Sequence, residues 1–244
     1  MFIYQLIQIG EFHQNHCEDY VVAYPIGAKR QLLAVLDGCS MGDESFFASA
    51  LLGNILKKIA KQSFYLESHR GASNLSLAAQ LPNLLQEVFT ELESIKNQLY
   101  LNTNQLLTTL VVAIVDEETR QAQVGVFGDG LVVCNGQYWE YDQDNRPDYP
   151  AYYLADGFDT WWGNQEQLLS LSEVNDLSLS TDGVLSFRNF EAQEYLDPLR
   201  AIDELLISTS DWENERMLLK QLKQLQDQTK AKPGDDLGIV RLIL

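Results

Sequence analysis

Residues 31–38 read QLLAVLDG, a short apolar run rich in β-forming side chains that ends in an Asp-Gly pair. A run of this length bounded by a turn signal predicts a strand, with Asp37 held at its end. Before it, residues 1–9 (MFIYQLIQI) and 20–24 (YVVAY) carry the same kind of signal. The chain is therefore expected to begin with three strands.

Two amphipathic helices are predicted after the third strand. Between Glu44 and about Gln62, apolar side chains recur every four residues at Phe47, Leu51, Ile55 and Ile59. The next segment repeats the pattern at Leu77, Leu81, Leu85, Val88, Leu92, Ile95 and Leu99. This spacing places one apolar stripe on each helix, which is the pattern of a helix packed on a core.

Strand signals return after the helices. Residues 106–115 and 121–128 flank a polar turn, and LVVC and QYWEY flank Asn135-Gly136, a strong signal for a tight hairpin. Together they predict a β-meander. Residues 177–187 predict a strand followed by a turn, 211–228 a helix with Leu218, Leu222 and Leu225 on one face, and 237–244 a final strand.

The segment 142–167 lacks both periodicities and is rich in Asp, Asn, Pro, Gly and aromatic residues. It is therefore expected to be a long loop or flap, in which Trp161 and Trp162 either cap a substrate groove or pack the flap. No linker divides the sequence, so residues 1–244 are expected to form a single domain. Strands at both ends around two long helices favour an α+β fold with antiparallel sheets.

Composition excludes several classes of protein. The 244 residues are 45% hydrophobic and contain 35 Asp+Glu against 17 Lys+Arg, a formal charge of −18, which suits neither a disordered chain nor a nucleic-acid partner. Neither a membrane-length apolar run nor a basic leader is visible, so a soluble cytoplasmic protein is expected, with no membrane partner. The three cysteines, Cys17, Cys39 and Cys134, are widely spaced, which argues against disulfides and a zinc knuckle.

Acidic residues recur at the edges of the predicted strands. Hard cations such as Mg²⁺ and Mn²⁺ prefer oxygen ligands, and a pair of ions requires several converging carboxylates. Taken singly, each Asp-Gly pair is also an ordinary turn signal. The positions are Glu18-Asp19, Asp37-Gly38, Asp129, Asp182-Gly183 and Asp235-Asp236.

Six segments of the sequence, taken in their order along the chain, resemble those of the type 2C (PPM) metal-dependent protein serine/threonine phosphatases. The resemblance implies a four-layer α/β/β/α sandwich of two antiparallel sheets flanked by helices, with a metal site at one end of the sheets. The matching segments are CEDYVVAY (17–24), LLAVLDGCSMG (32–42), TTLVVAIV (108–115), VGVFGDG (124–130), LSLSTDGV (177–184) and GDDLGIVRL (234–242).

The resemblance also implies roles for individual residues. Asp37 would bridge two Mn²⁺ or Mg²⁺ ions and Gly38 would offer its carbonyl to one of them. Glu18 would bind one ion, and Asp182 and Asp235 the other. The remaining implied roles are a water-orienting carboxylate for Asp19 and a third, weaker metal site for Asp129 with Asp182.

Under the same resemblance, a water bridging the two ions would attack phosphorus directly, without a covalent phosphoenzyme. The expected reaction is therefore hydrolysis of phosphoserine or phosphothreonine on a protein substrate, by a chain that is expected to be monomeric. Two alternatives stay open. One is a regulatory or interaction protein that keeps the fold with little turnover, and the other is a phosphatase of a small phosphorylated metabolite.

Three departures from the family pattern motivate these alternatives. Gln14 stands where many members have a phosphate-binding Arg, Cys39 where eukaryotic members have a His, and Ser186 where members have an additional Asp. A neutral side chain at position 14 would replace a charge-assisted contact, so His13 or Gln14 is the expected phosphate contact. His13 and His16 complete no zinc pattern and are expected to be surface or core side chains.

Overall fold

The computed structural model describes residues 1–70, 75–143 and 147–244. The strands are β1 (Phe2–Gln8), β2 (Asp19–Gly27), β3 (Arg30–Asp37), β4 (Leu110–Asp116), β5 (Gln121–Phe127), β6 (Gly130–Cys134), β7 (Gln137–Tyr141), β8 (Leu168–Leu171), β9 (Asp176–Ser180), β10 (Phe187–Asn189), β11 (Glu194–Tyr195), β12 (Lys232–Pro233) and β13 (Leu237–Ile243). The helices are α1 (Ser45–Arg70), α2 (Leu77–Leu99), α3 (Phe158–Trp162), α4 (Pro198–Ile202) and α5 (Met217–Thr229).

The described strands form two five-stranded antiparallel sheets and a small third sheet. One large sheet has the order β1-β13-β9-β6-β7 and the other the order β2-β3-β4-β5-β8, while the small sheet has the order β11-β10-β12. Strands β9 and β13 are therefore neighbours although they are far apart in sequence. This pairing brings the Asp182 and Asp235 regions to one end of the first sheet.

Strand β3 shows why the two large sheets pack face to face. Its side chains alternate between two cores: Leu33 and Val35 join the apolar layer between the sheets, whereas Leu32, Ala34 and Leu36 face the helices. Because both faces are buried, the strand is apolar almost throughout. The carboxylate at its end, Asp37, lies at the rim of the sandwich and not inside a core.

Helices cover the outer face of each sheet. Helices α1 and α2 pack on the sheet that contains β3, and α4 and α5 pack on the sheet that contains β13. The order of layers is therefore helix, sheet, sheet, helix. The predicted α+β fold and its four-layer sandwich are confirmed.

The predicted β-meander is wrong at one point. Strand β4 pairs with β5 in one sheet, and β6 pairs with β7 in the other, so the chain changes sheets between β5 and β6. The change occurs at Gly128-Asp129-Gly130, where both glycines have positive φ angles of 94° and 155°. Sequence periodicity identifies strands but carries no information about which sheet each one joins.

Helix boundaries also differ from the expected ones. Helix α1 continues to Arg70 and not to about Gln62, because residues 63–70 contain neither Gly nor Pro. Helix α5 begins at Met217 and not near residue 211. Residues 144–146 of the expected flap lie outside the described residues. The remainder contains α3, and Trp161 on it is fully buried against Phe89 and Phe127, so this tryptophan packs on the core.

The helices that the structure describes include none with both the length and the apolar character needed to cross a bilayer. Cys17, Cys39 and Cys134 are all free thiols.

Candidate active site

The topology brings four aspartates to one end of the sandwich. Asp19 opens β2 and Asp37 closes β3, and the two residues lie opposite each other in the strand register. Asp182 follows β9 and Asp235 precedes β13, which pair antiparallel, so these two ends meet as well. We call Asp19, Asp37, Asp182 and Asp235 the carboxylate cluster.

The backbone at the end of β3 is tightly held. The Gly38 amide donates to the Glu18 carbonyl at 3.1 Å, and Thr108 Oγ1 donates to the Asp37 carbonyl at 2.9 Å. A Cβ atom at Gly38 would collide with the carbonyl oxygen of Ser45 at the start of α1. Glycine is therefore required here so that the strand end and the helix can approach each other.

Asp19 is the most buried member of the carboxylate cluster, with 4% of its surface exposed. Its Oδ2 atom accepts a 2.7 Å hydrogen bond from Thr181 Oγ1, which in turn accepts one from the Gly238 amide. Its Oδ1 atom is buried and has no donor among the described residues. Burial and the neighbouring Asp236, Asp182 and Asp235 raise the pKa of Asp19, against the opposing effect of the Thr181 hydrogen bond.

The pKa values of the other three members of the cluster are raised as well. Burial and repulsion from Asp19, Asp182 and Asp235 raise the pKa of Asp37 well above its usual range. Burial and the charges of Asp235 and Asp129 raise the pKa of Asp182 to about 6. Burial also raises the pKa of Asp235, partly offset by the hydrogen bond from the Asp236 amide and by His13. The four carboxylates therefore face one another without enough positive charge between them.

A second group of side chains surrounds Asp236, which is 2% exposed. Its carboxylate accepts hydrogen bonds from the Gly10 amide at 2.7 Å and the Glu18 amide at 2.5 Å. The His13 Nδ1 atom lies 2.8 Å from Asp236 Oδ2, within ion-pair distance, and has no hydrogen-bond partner among the described residues. Asp236 thus connects the segment before β2 to the start of β13.

Glu18 lies beside this group. Its Oε2 atom accepts a 2.6 Å hydrogen bond from Ser40 Oγ and lies 4.0 Å from His13 Nε2. The same His13 atom is 3.7 Å from Asp235 Oδ1. His13 is therefore close to carboxylates, whereas Gln14 is exposed and the His16 ring packs against Phe46 with ring centroids 4.4 Å apart.

Asp129 is close enough to Asp182 to raise its pKa, and its Oδ1 atom accepts a 2.7 Å hydrogen bond from the Gln143 amide. The Gly128-Asp129-Gly130 turn, where the chain changes sheets, places it there. Asp129 therefore acts electrostatically on Asp182, the other residue expected to form a third metal site.

The residues of the cluster suit a divalent metal. All of the donors are carboxylate oxygens, which hard cations prefer, and the buried Asp19 Oδ1 lacks a partner that a cation or an ordered water could supply. In the described part of the chain, no three His, Cys, Asp or Glu side chains already surround a common point as a finished metal centre does. Mutual repulsion of the carboxylates is a physical reason for such an open arrangement.

The sequence profile of the family described as Protein phosphatase 2C matches residues 11–226. The chain belongs to this family. Two solved bacterial structures show the same fold. The serine/threonine phosphatase Stp1 from Staphylococcus aureus matches with a TM-score of 0.61 at 16% identity, over 99% of this chain and 94% of that one. The SiaA-PP2C domain of Pseudomonas aeruginosa matches with 0.58 at 15% identity, over 99% and 85%. A search of curated proteins finds no match.

Two of the three departures from the protein phosphatase 2C pattern, Ser186 and Cys39, have a structural setting in this chain. Ser186 Oγ accepts hydrogen bonds from the Gly234 and Asp235 amides, each at 3.0 Å, and donates to the Gly183 carbonyl at 2.7 Å. It therefore positions the turn that carries Asp235. Cys39 is partly buried against the core that α1 and α2 share with the sheet.

Sequence reasoning missed Asp236 and Thr181 as supporting residues. Asp236 follows Asp235 directly and was read only as part of an acidic turn, while Thr181 precedes Asp182 without any signal of its own. Their partners, Gly10, Glu18 and Asp19, are more than 160 positions away along the chain. Local spacing cannot reveal contacts over such a separation.

Proposed function

We propose that this chain is a metal-dependent phosphatase that hydrolyses phosphoserine and phosphothreonine on protein substrates. The observation that carries the proposal is the convergence of Asp19, Asp37, Asp182 and Asp235 at one rim, with a buried oxygen of Asp19 unpaired. Membership of the protein phosphatase 2C family supports it. The name of the Staphylococcus aureus relative, a serine/threonine phosphatase, supports the substrate class.

The proposed ligands for two Mn²⁺ or Mg²⁺ ions are Glu18, Asp37, the Gly38 carbonyl, Asp182 and Asp235, and Asp129 with Asp182 would hold a third, weaker ion. When bound, such ions would activate a water molecule and neutralise charge on the phosphoryl oxygens. Asp19, fixed by Thr181, would orient water next to Asp37. Thr108 and Thr109 fix the strand end that carries Asp37, through hydrogen bonds to its backbone carbonyl and amide.

A cavity of about 520 Å³ extends from Cys39 and Leu107 to Tyr149 and Tyr152. Cys39, which lines the cavity, follows Gly38 directly, so the cavity adjoins the carboxylate cluster. Burial raises the pKa of Tyr149, and the Asp37 charge adds to this effect. We assign this cavity to the side of the site that receives the substrate chain. Gln14 is exposed and remains the proposed phosphate contact, whereas His13 faces carboxylates.

The test is hydrolysis of a phosphothreonine peptide by the purified protein, with and without millimolar Mn²⁺, beside an Asp37→Asn variant. Loss of a shared metal ligand removes several kcal/mol of transition-state stabilisation, so turnover should fall by roughly 10³-fold or more. Asp116→Asn, which changes a carboxylate paired with Arg30 far from the cluster, is the matched control and should keep the wild-type rate.

Absence of turnover in a well-folded wild-type protein that binds Mn²⁺ would contradict the proposal. It would favour instead a regulatory protein with the phosphatase fold. A marked preference for small phosphate esters over the peptide would point to a metabolite substrate. The proposal further includes a cytoplasmic location, a single domain and a monomeric state. The formal net charge of −18 disfavours nucleic acid and acidic proteins as partners.

A further inference from the structure

Strand β1 lies at the edge of its sheet and lacks the protection that the other edge strands of the two large sheets have. An exposed strand edge offers unpaired N–H and C=O groups, which proteins usually shield with a charge, a proline, a bulge or a very short strand. Strand β2 contains Pro25 next to a register shift, β7 contains Glu140, and β8 has only four residues. Strand β1 has seven residues, no charge and no proline, and it pairs with β13 in one continuous register.

The pairing of β13 shows which backbone groups of β1 point out of the sheet. On the β9 side of β13, the Gly238 carbonyl accepts a hydrogen bond from the Thr181 amide, and the Gly238 amide donates to Thr181 Oγ1. Because alternate residues of an antiparallel strand direct their backbone groups to opposite sides, Ile239 directs its own toward Leu6, its partner in β1. The outward N–H and C=O groups of β1 therefore belong to Ile3, Gln5 and Ile7.

The outward backbone groups of β1 are open. In residues 1–70, 75–143 and 147–244, no group hydrogen-bonds to the amides or carbonyls of Ile3, Gln5 and Ile7 from outside the sheet. Trp212 contacts β1 through side chains instead: its carbonyl accepts a hydrogen bond from the Tyr4 hydroxyl, and its ring lies edge-on to Phe2. Both of these side chains belong to the core under the helices, so Trp212 covers one face of the strand and not its edge.

A groove of about 290 Å³ follows this edge, and we call it the β1 groove. Its lining consists of Tyr4, Gln5, Leu6 and Ile7 on one side and Glu215, Arg216, Leu218 and Leu219 on the other. Four consecutive residues of a strand line the same groove only along its edge, because neighbouring side chains point to opposite faces. Ile7 and Leu219 expose apolar surface there. Side chains of a strand added to β1 could therefore enter the β1 groove.

We propose that β1 binds an extended segment of a partner protein, which joins the sheet as a further strand and places apolar side chains in the β1 groove. In this mode of recognition, backbone hydrogen bonds provide affinity and alternate side chains provide specificity. The proposal goes beyond phosphate hydrolysis and does not depend on metal binding.

Charge selects the partner. Two copies of this chain would each bring a net charge of −18 to the contact, so repulsion disfavours a second copy as the added strand. The same charge attracts a basic segment. Beside the β1 groove, residues 211–216 carry three acidic side chains and one basic side chain. The segment is therefore expected to alternate apolar residues with basic or neutral ones.

The test uses the unaltered chain and a peptide of sequence KVKVTVKVK, acetylated and amidated at its ends, as the probe. Amide hydrogen exchange followed by NMR should slow at Ile3, Gln5 and Ile7 when the peptide is added, because their amides gain acceptors. The amide of Leu6, which already faces β13, should change little. The peptide EVEVTVEVE keeps the alternation with the opposite charge and should bind at least about 10-fold more weakly.

A substitution at Gln5 tests the edge itself. Gln5→Pro removes an outward amide and places a ring at the edge, while the hydrogen bonds to β13 remain. It should weaken binding of the basic peptide by at least about 10-fold. Gln5→Thr keeps the amide and is the matched control, which should bind as wild type does. Circular dichroism should show both variants folded, because Gln5 is exposed.

Unchanged exchange at Ile3, Gln5 and Ile7 with the basic peptide at millimolar concentration would overturn the proposal. So would an affinity that survives Gln5→Pro in folded protein. A dimer in sedimentation, with these amides protected before any peptide is added, would overturn the choice of partner and identify a second copy as the occupant. None of these results bears on the proposed function, which Mn²⁺-dependent hydrolysis tests separately.

Discussion

Strands β9 and β13 form an antiparallel pair with buried charged residues near each of its two ends. The charges are compensated at one end and not at the other. At one end, Arg241 is fully buried and contacts Asp176 through two nitrogens, at 2.9 and 2.5 Å, while also donating to the carbonyls of Ile207 and Ser208. At the other end, Asp182 and Asp235 face Asp19 and Asp37. None of these four carboxylates forms an ion pair with a Lys or Arg among the described residues.

The difference separates structural charge from functional charge. Where a buried charge only supports the fold, as at Arg241 or at Asp116 with Arg30, the chain supplies the partner itself. At Asp116 burial alone would raise the pKa, but hydrogen bonds from Thr119 and Arg30 hold it below its usual value. The carboxylate cluster lacks such partners and has raised pKa values. Positive charge from outside the chain is therefore expected there.

Removing the charge of Arg241, which compensates that of Asp176, should have the largest effect on the free energy of unfolding. Arg241→Met leaves Asp176 without its cation and two carbonyls without a donor, so the free energy of unfolding should fall by about 3 to 5 kcal/mol. Urea unfolding measures this loss. The double variant Arg241→Met/Asp176→Asn should recover part of it, and both variants should keep the wild-type stabilisation by Mn²⁺. A loss below about 1 kcal/mol would show that the pair is not structural.

Replacing a charged residue of the carboxylate cluster should change the free energy of unfolding in the opposite direction. In metal-stripped protein, Asp19→Asn removes a buried repelling charge and places an amide donor beside Asp37, so the free energy of unfolding should rise by about 1 to 3 kcal/mol. Asp116→Asn, at a compensated carboxylate, is the control and should lower it. Urea unfolding in EDTA measures both. Destabilisation by Asp19→Asn of the same size as by Asp116→Asn would remove the distinction between the two regions.

Acidification should stabilise the carboxylate cluster. The pKa of Asp182 is raised to about 6 from its usual 3.8, so between these values the folded state binds more protons than the unfolded state. The stability that its protonation contributes is complete below about pH 4 and is lost as the pH rises through 6. In metal-stripped protein, wild type relative to Asp182→Asn should gain about 1 to 2 kcal/mol from pH 7 to pH 5. Parallel pH profiles of the two proteins would contradict this expectation.

The smallest effect is expected from introducing an arginine at position 14, at the end of the sandwich that carries the carboxylate cluster. Arg241 plays the corresponding role of a positive charge at the other end. Gln14→Arg should raise kcat/KM on a phosphopeptide by about fivefold to tenfold, because a charge-assisted contact to phosphate replaces a neutral one. Gln14→Ala should lower it by about threefold, since one neutral hydrogen bond contributes about 0.5 to 1.5 kcal/mol. Steady-state kinetics measure both changes. Equal rates for the two variants and wild type would show that position 14 does not contact substrate.

Much of this molecule could be predicted from its sequence. The periodicity of α2 and the Asn135-Gly136 hairpin rest on local rules, and both elements appear where they were expected. The order of these acidic residues indicated the family, because each carboxylate lies at or next to the beginning or the end of a strand. Such signals depend on a few neighbouring residues.

The remainder depends on contacts between distant parts of the chain. The change of sheets at Asp129 could not be read from periodicity, because strands of both sheets alternate in the same way. The role of Asp236 depends on Gly10, His13 and Glu18, which reach it only after β1 pairs with β13. Trp161 in the segment 142–167 is buried through packing on α2, which composition does not encode.

Calorimetric titration of metal-stripped protein with Mn²⁺ at pH 7 tests most directly the claim that the carboxylate cluster requires an external cation. We expect binding of two ions per chain, lost in part with Asp37→Asn, with release of protons because the raised pKa values leave some carboxylates protonated before binding. Absence of Mn²⁺ binding at millimolar concentration, in protein that is folded by circular dichroism, would contradict the claim.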